Sequence, residues 1–416
     1  MLTNKMLTAS AAETGSIIVS IGTPSTTTSD ITLGNPAIAS DGVVVAIRVT
    51  ATPAPIEVIK FDFDGNLLWK RRLSFSSQLS SLSNVQVDSS DNVYISISGR
   101  NSGSINSVVL VKYNSSGVLQ WQRKLTAADS IAQTELCLDN SGNPIIACTA
   151  NVTVEVIKYN TSGTLQWRRR LTVASGNNTV NSAVSDASGN IFVGIQSGSS
   201  GSFRANIVKY NNSGVLQWQS QYYLGATGGP KIDIGSDGSI FSTQYITSGG
   251  QKGCIAKLDS SGTLVSSYTI NGTQGGTNLK CAEGSVFVPI FSEGTLIELD
   301  ESLSITTQRR TYGTVGGTST GAAYGANKVG TLVVYGGYAS QTSTGNEGVF
   351  LLTNDYSAAT GTYGWITHDN QSYSLTSATL TNAAGPFTDA AGSFTDAAGD
   401  ITDAAGSLTL TVYPKD

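Results

Sequence analysis

The residues best suited to acid–base, nucleophilic or metal chemistry are few. There is one histidine, His368, and there are four cysteines, Cys137, Cys148, Cys254 and Cys281. No two cysteines form a CxxC pair, and a single imidazole cannot complete a zinc set with thiols so far apart in sequence. Cys137 and Cys148 stand in apolar runs, which predicts buried free thiols. The segment Asp62-Phe-Asp-Gly-Asn66 has the outline of a calcium loop, but lacks the third carboxylate spacing and the closing Glu that such a loop needs. No GxSxG elbow, metal triad or phosphate loop stands out, and the glycines of Gly313–Gly321 do not sit between a strand and a helix. From these residues no catalytic, metal or cofactor site is expected, and the chain is expected not to be an enzyme.

What does recur is a lysine, a tryptophan and a basic pair. Lys60, Lys112, Lys158, Lys209 and Lys257 each interrupt an apolar run such as Val-Ile-Lys-Tyr. An ammonium in such a place needs a partner, and Asp88, Asp139 and Asp186 in neighbouring runs are the candidates. Trp69, Trp121, Trp167 and Trp218 recur at one position, which Val265 takes over later in the chain. Strand alternation puts Leu119, Trp121, Arg123 and Leu125 on one face. The tryptophan is therefore read as a packing wedge between repeats, with stacking on a sugar ring as the functional alternative if the indole is exposed. Arg71, Arg72, Arg123, Arg168, Arg169, Arg170, Arg309 and Arg310 follow the tryptophan position, on what should be an outermost strand. Charges there block edge-to-edge pairing, and they could also dock an acidic partner.

These residues are positioned by a repeat. Val108–Leu125 (VVLVKYNSSGVLQWQRKL) and Val154–Leu171 (VEVIKYNTSGTLQWRRRL) align with Ile56–Leu73, with two segments beginning at Ala205 and Gly253, and with a degenerate copy from Gly294. The marker lysines are 52, 46, 51 and 48 residues apart. Each marked segment is a strand, an Asn/Asp-x-Ser-Gly turn and a second strand. A second hairpin precedes it, as in Leu136–Thr149 (LCLDNSGNPIIACT). Two hairpins make a four-stranded unit, and that period is the period of a propeller blade. The fold class is therefore all-β: a seven-bladed β-propeller of four-stranded antiparallel blades, with six or eight blades as alternatives. Residues 31–368 form the propeller. Residues 1–30 form an N-terminal arm in which Ser16–Gly22 is a candidate closing strand, and 369–416 form a low-complexity β tail. In that tail Thr388-Asp-Ala-Ala-Gly392 repeats at Thr395 and Thr402, after a related Thr381-Asn-Ala-Ala-Gly385. One apolar residue per seven, with a glycine each time, cannot form a coiled-coil seam. Stacked strand–turn units, or an extended segment that orders on a partner, fit better, and the tail is expected to anchor the protein or make it trimeric.

Only 13% of the 416 residues are charged, the net charge is −5, and glycine alone contributes 46 residues. Nucleic acid is not an expected partner, because binding it needs a basic footprint. No run approaches the ~18 apolar residues of a membrane-spanning helix. Met1–Glu13 has no apolar core, so a secretory signal is not expected.

The repeat unit, carried by Val108–Leu125, Val154–Leu171 and Ala205–Trp218 with the hairpins before them, resembles the β-propeller repeats (SBBP-like) of bacterial surface proteins and of tail-associated proteins of marine and cyanobacterial phages. It also resembles the GxLxW repeat of quinoprotein-like propellers, without the calcium and quinone ligands that those enzymes need. The resemblance implies a virion protein of the phage tail or an attached fibre, located in the particle. Its propeller would be a scaffold for host-surface attachment, through a polysaccharide, or for docking other virion proteins. A bacterial cell-surface adhesion module is the alternative, and a propeller glycan lyase or hydrolase the third. Receptor contacts are expected in the irregular loops Gly99–Asn106, Ser197–Arg204 and Ser340–Glu347.

Overall fold

Alternating runs closed by Asx–Gly turns pair with their neighbours in sequence, so the local chemistry builds hairpins and the hairpins build blades. The computed structural model describes residues 17–22, 32–33, 35–48, 56–74, 78–82, 85–101, 104–126, 131–172, 177–198, 203–223, 229–246, 252–271, 278–290, 294–315, 318–341, 345–353, 361–363, 366–370, 374–377, 381–384, 388–391, 395–398, 402–405 and 409–414. These form seven antiparallel blades with no helix among the described residues. Blade 3 shows the plan: Ile131–Leu138 innermost, then Pro144–Ala150, Thr153–Tyr159 and Leu165–Thr172. The third and fourth strands slip register between Lys158 and Tyr159, and the same slip falls after Lys60, Lys112, Lys209 and Lys257.

The ring closes on its N-terminal side. Blade 7 contains Thr318–Val329, Leu332–Gln341 and Gly345–Thr353, and its fourth strand is Ile17–Gly22, paired Val19 to Phe350. The candidate closing strand is thus in the sheet. The strands of 366–414 add a fifth member to each blade. Thr388–Ala391 pairs with Leu165–Thr172 of blade 3, Thr395–Ala398 with Leu119–Thr126 of blade 2, and Thr402–Ala405 with Leu67–Ser74 of blade 1. Thr381–Ala384 lies on Leu216–Tyr223 of blade 4, Ser374–Ser377 on Leu264–Asn271 of blade 5, and Ile366–Asn370 on Ile305–Val315 of blade 6. Thr409–Pro414 covers the closing strand itself.

The core lies between blades rather than inside a single layer. One cluster joins Val58 and Leu73 of blade 1 to Ile95 and Val111 of blade 2. Another joins Val108 and Leu110 of blade 2 to Ile146 and Ile157 of blade 3. Both faces of a blade are therefore covered, which is why Ile56–Phe61 and Pro144–Ala150 are buried at every position instead of at alternate ones.

Candidate functional site: blade clamps, an inner charged rim and two unlike faces

The recurring lysine, tryptophan and first arginine converge on the turn of the next blade. Trp69 Nε1 and Lys60 Nζ both donate to the Ser115 carbonyl, at 2.9 and 3.3 Å, and Arg71 Nε donates to the Gly117 carbonyl at 2.6 Å. One blade on, Trp121 and Lys112 donate to Thr161 O at 3.1 and 3.0 Å, with Arg123 on Gly163 O at 2.5 Å. Trp167 and Lys158 then meet Asn212 O at 3.0 and 3.4 Å, and Arg169 meets Gly214 O at 2.6 Å. The turn glycine lies flat on the indole. A Cβ on Gly163 would stand 2.9 Å from Trp121, and one on Gly262 would stand 2.8 Å from Trp218. Arg71, Arg123 and Arg169 are thus engaged within the ring. Arg72 and Arg170 face the buried Glu57 and Glu155, at 3.6 and 2.6 Å. Arg309 donates to Gln308 O, and Arg168 and Arg310 stand in register with Ile157 and Asp369.

The expected lysine partners are met in part. Lys158 and Asp139 are 2.6 Å apart and both nearly buried, whereas Lys60 pairs with Asp41 and Lys257 with Asp237. Asp88 accepts from the Tyr94 hydroxyl, and Lys112 lies over that ring at 5.1 Å. Lys209 lies over Phe192 at 4.9 Å. Desolvation alone would raise the Asp139 pKa, but the hydrogen bonds from Lys158 and Asn143 outweigh it and hold the carboxyl below its ordinary value. One assignment is corrected: Lys257 pairs with Ser266, so Ser266 takes the tryptophan position and Val265 points outward, 60% exposed. The alignment slipped by one residue, which in a strand exchanges the two faces.

Asp62 is committed to its own turn. Its carboxylate accepts from the Asp64 and Asn66 amides at 3.0 and 2.8 Å and from Asn66 Nδ2 at 3.0 Å. All four cysteines are buried free thiols. Burial pushes the Cys254 thiol up to about 12, out of the nucleophilic range.

The innermost strands enclose a channel that the sequence pattern did not single out. A cavity of about 80 Å³ is lined by Gln86, Glu135, Lys231, Asp233, Asn278 and Lys280, among others. Glu135 pairs with Lys231 at 2.9 Å across two blades, and Asp233 with Lys280 at 3.1 Å. Asp233 also accepts the Cys281 amide at 2.8 Å, and Asn278 donates to Asn35 at 2.6 Å. Burial raises the Glu135 pKa against the pull of Lys231, whereas Asp233 raises that of Lys280. The rim thus sets two ion pairs around one small cavity. Its volume fits water rather than a small-molecule ligand, which takes roughly 300–1,000 Å³. The sequence signal was a charge inside a short apolar strand, as in Lys231-Ile-Asp233, but four such charges on three blades share nothing locally.

The two faces differ. First-to-second and third-to-fourth turns lie together on one face and are short, from the two residues between Ala39 and Gly42 to the five between Leu138 and Pro144. Asp88, Asp139 and Asp186 each accept their turn's amides, as do Asn114, Asn160 and Asn211. Second-to-third connections open on the other face. They vary from the two residues between Ala150 and Thr153 to the seven between Arg48 and Ile56. The loops 99–106, 197–204 and 340–347 are of this kind, and 102–103, 199–202 and 342–344 lie outside the described residues.

Residues 3–162 match a family model described as PQQ_2, outer membrane protein assembly factor BamB. The chain is therefore similar, over part of its length, to that propeller-repeat family. No curated protein matches it by sequence. Among solved structures it is similar to the polysaccharide lyase Uly1, with a TM-score of 0.50 and 6% identity over 77% of this chain and 89% of that one. It is equally similar to a PL25 ulvan lyase bound to -[GlcA(1-4)Rha3S]-, with a TM-score of 0.50 and 7% identity over 81% and 96%. The gluconolactonase XC5397 from Xanthomonas campestris follows at 0.38 and 9%, over 72% and 90%. At these identities the likeness concerns the fold. It nonetheless corrects the expectation that the chain is not an enzyme: two polysaccharide lyases share its fold at a TM-score of 0.50, so this fold gives no ground for excluding catalysis. In a propeller, groups from different blades meet only when the ring closes, so the lack of a recognisable local catalytic motif carries no weight.

Proposed function

We propose that this chain is a virion propeller of the phage tail or an attached fibre, related to the tail-associated repeat proteins, whose variable face engages host-surface polysaccharide. The segregation of connections carries this reading. One face carries short turns of two to five residues, most of them closed by an Asp or Asn side chain, while the second-to-third connections, of two to seven residues, emerge on the opposite face of a clamped ring. Recognition concentrates in variable loops held by a rigid scaffold. A low-charge surface rich in Ser, Thr and Gly fits an exposed β-structure outside the cell. The correspondence with nearly the full length of two polysaccharide lyases favours a second reading, in which the bound glycan is also cleaved.

The test is to titrate the purified chain against a panel of neutral and acidic bacterial polysaccharides, following co-sedimentation and the appearance of unsaturated sugar ends. Purified particles are probed for the chain in parallel. Binding that is lost when 49–55 and 342–344 are replaced by glycine–serine segments supports attachment, and unsaturated ends add cleavage. No binding to any polysaccharide, together with absence from particles, overturns the proposal.

A further inference from the structure

The fifth strands begin at 366, 374, 381, 388, 395, 402 and 409. After one step of eight, each is seven residues beyond the last. They visit blades 6, 5, 4, 3, 2, 1 and 7 in that order, so this segment travels round the ring against the chain's own direction and ends on the strand that closes it. Neighbouring strands in a sheet turn by roughly 20–25°. Four such steps turn the fifth strand roughly 80–100° from the innermost, so if one follows the channel axis the other follows the circumference. Seven extended residues reach roughly 23–25 Å, and a ring of like blades requires the same step each time. The constant heptad, with Gly385, Gly392, Gly399 and Gly406 each just past a paired stretch, is what that geometry demands.

Charge follows the blades. Where the edge reads Arg71-Arg72, Arg123-Lys124 or Arg169-Arg170, the docked strand places Asp403, Asp396 or Asp389 opposite the next residue, Leu73, Leu125 or Leu171. On blade 6, Asp369 stands opposite Arg310 itself. Blade 4 has Ser220-Gln221 instead, and there the repeat carries Asn382 in place of aspartate. Blade 5 has Tyr268-Thr269, and its strand carries Leu375 at that register. Acid appears on the docked strand where the edge is basic and disappears where the edge is neutral.

We propose that residues 366–414 are an intramolecular belt: each blade's outer edge is a strand-accepting site that takes one repeat of this chain's own tail, selected by charge. The belt pairs backbone groups that an outermost strand otherwise exposes, by the strand addition used in peptide recognition. At blade 7 it holds Ile17–Gly22 from its second side, across the seam where the two ends of the chain meet.

Two measurements on the full chain test this. The first is disulfide trapping, which the buried native cysteines leave unobstructed. Lys124→Cys with Ala397→Cys joins positions opposite in register, whereas Lys124→Cys with Ala390→Cys is one blade out. The matched pair is expected to close within one chain at the monomer mass, and the mismatched pair to stay reduced. Equal closure of both pairs, or closure only between two chains, overturns the belt, and the second result makes the tail an oligomerising device. The second is hydrogen exchange of the unaltered protein. Amides of 388–391, 395–398 and 402–405 should exchange about tenfold or more slowly than in a free chain. Exchange at free-chain rates overturns the proposal without any variant.

Discussion

At the residue scale, the blade repeat is a lock between unlike side chains rather than a reactive constellation. The lysine, tryptophan and arginine of one blade share two carbonyls of the next, and the indole occupies the space that the turn glycine leaves by having no Cβ. This separates two costs of replacing glycine. Gly163 and Gly238 have nearly equal φ, +76° and +80°, but a Cβ meets the Trp121 ring at the first and nothing within 4 Å at the second. Gly238→Ala should lose about 1 kcal/mol from the left-handed backbone alone. Gly163→Ala should lose that plus about 1–3 kcal/mol of overpacking. Urea unfolding of the two variants checks this, and equal losses would show that the indole yields freely. The lock was partly legible in advance, because lysine, tryptophan and turn glycine recur at fixed spacing. That both cations reach backbone carbonyls of the next blade was not, since a carbonyl leaves no trace in sequence.

At the scale of the elements, the exception between blades 5 and 6 explains the rule. Ser266 stands where the tryptophan should be, and in the facing turn of blade 6 the glycine is replaced by Leu303, which keeps φ +68° yet is 3% exposed within the core with Phe241 and Val286. The leucine fills the space that an indole would have taken, and its burial offsets the backbone cost. Ser266→Trp alone should collide with Leu303, and Leu303→Gly alone should leave a cavity costing about 2–5 kcal/mol. Together they rebuild the clamp of the other blades. A double-mutant cycle by thermal or urea melts should give a favourable coupling of about 1–3 kcal/mol, and additive losses would refute the compensation. Sequence reading placed these strands but mistook Val265 for the substitute, because a one-residue offset cannot be judged without the partner strand.

At the scale of the whole molecule, stability is distributed around a ring, and its acid sensitivity should be distributed too. Asp139, Asp237, Asp259 and Asp300 lie on three blades, the middle two both on blade 5, and all four are held below the ordinary aspartate value of 3.8. Ser261 is the main cause for Asp259 and Ser302 for Asp300. In Asp139 and Asp237, hydrogen bonds from Asn143 and Ser239 and the charges of Lys158 and Lys257 overcome desolvation. A carboxyl with a lowered folded pKa binds its proton more readily when unfolded, so it contributes stability above 3.8 and loses it as pH falls through the folded value. These four should therefore leave Tm unchanged from neutral pH to about 5 and lower it progressively below about 4. Asp139→Asn should shrink the acid fall while also lowering Tm at pH 7, since Lys158 loses its carboxylate. A variant with an unchanged acid limb would place the sensitivity elsewhere.

The sequence by itself determined the local chemistry: hairpins from alternation and Asx–Gly turns, a blade from two hairpins, and a ring from repetition of the blade. These follow from contacts between neighbours in sequence, and each repeat states them again. Tertiary structure decided what depends on closure. It brought Glu135, Lys231, Asp233 and Lys280 from three blades to one rim, put the irregular connections on one face, and set the tail's heptads against the blade edges. No local signal encodes those meetings, because they join residues up to hundreds of positions apart and exist only when the ring is complete. The tail shows the boundary most clearly. Its period was plain in the sequence, but seven residues per step has a physical meaning only once the step from one blade to the next is known.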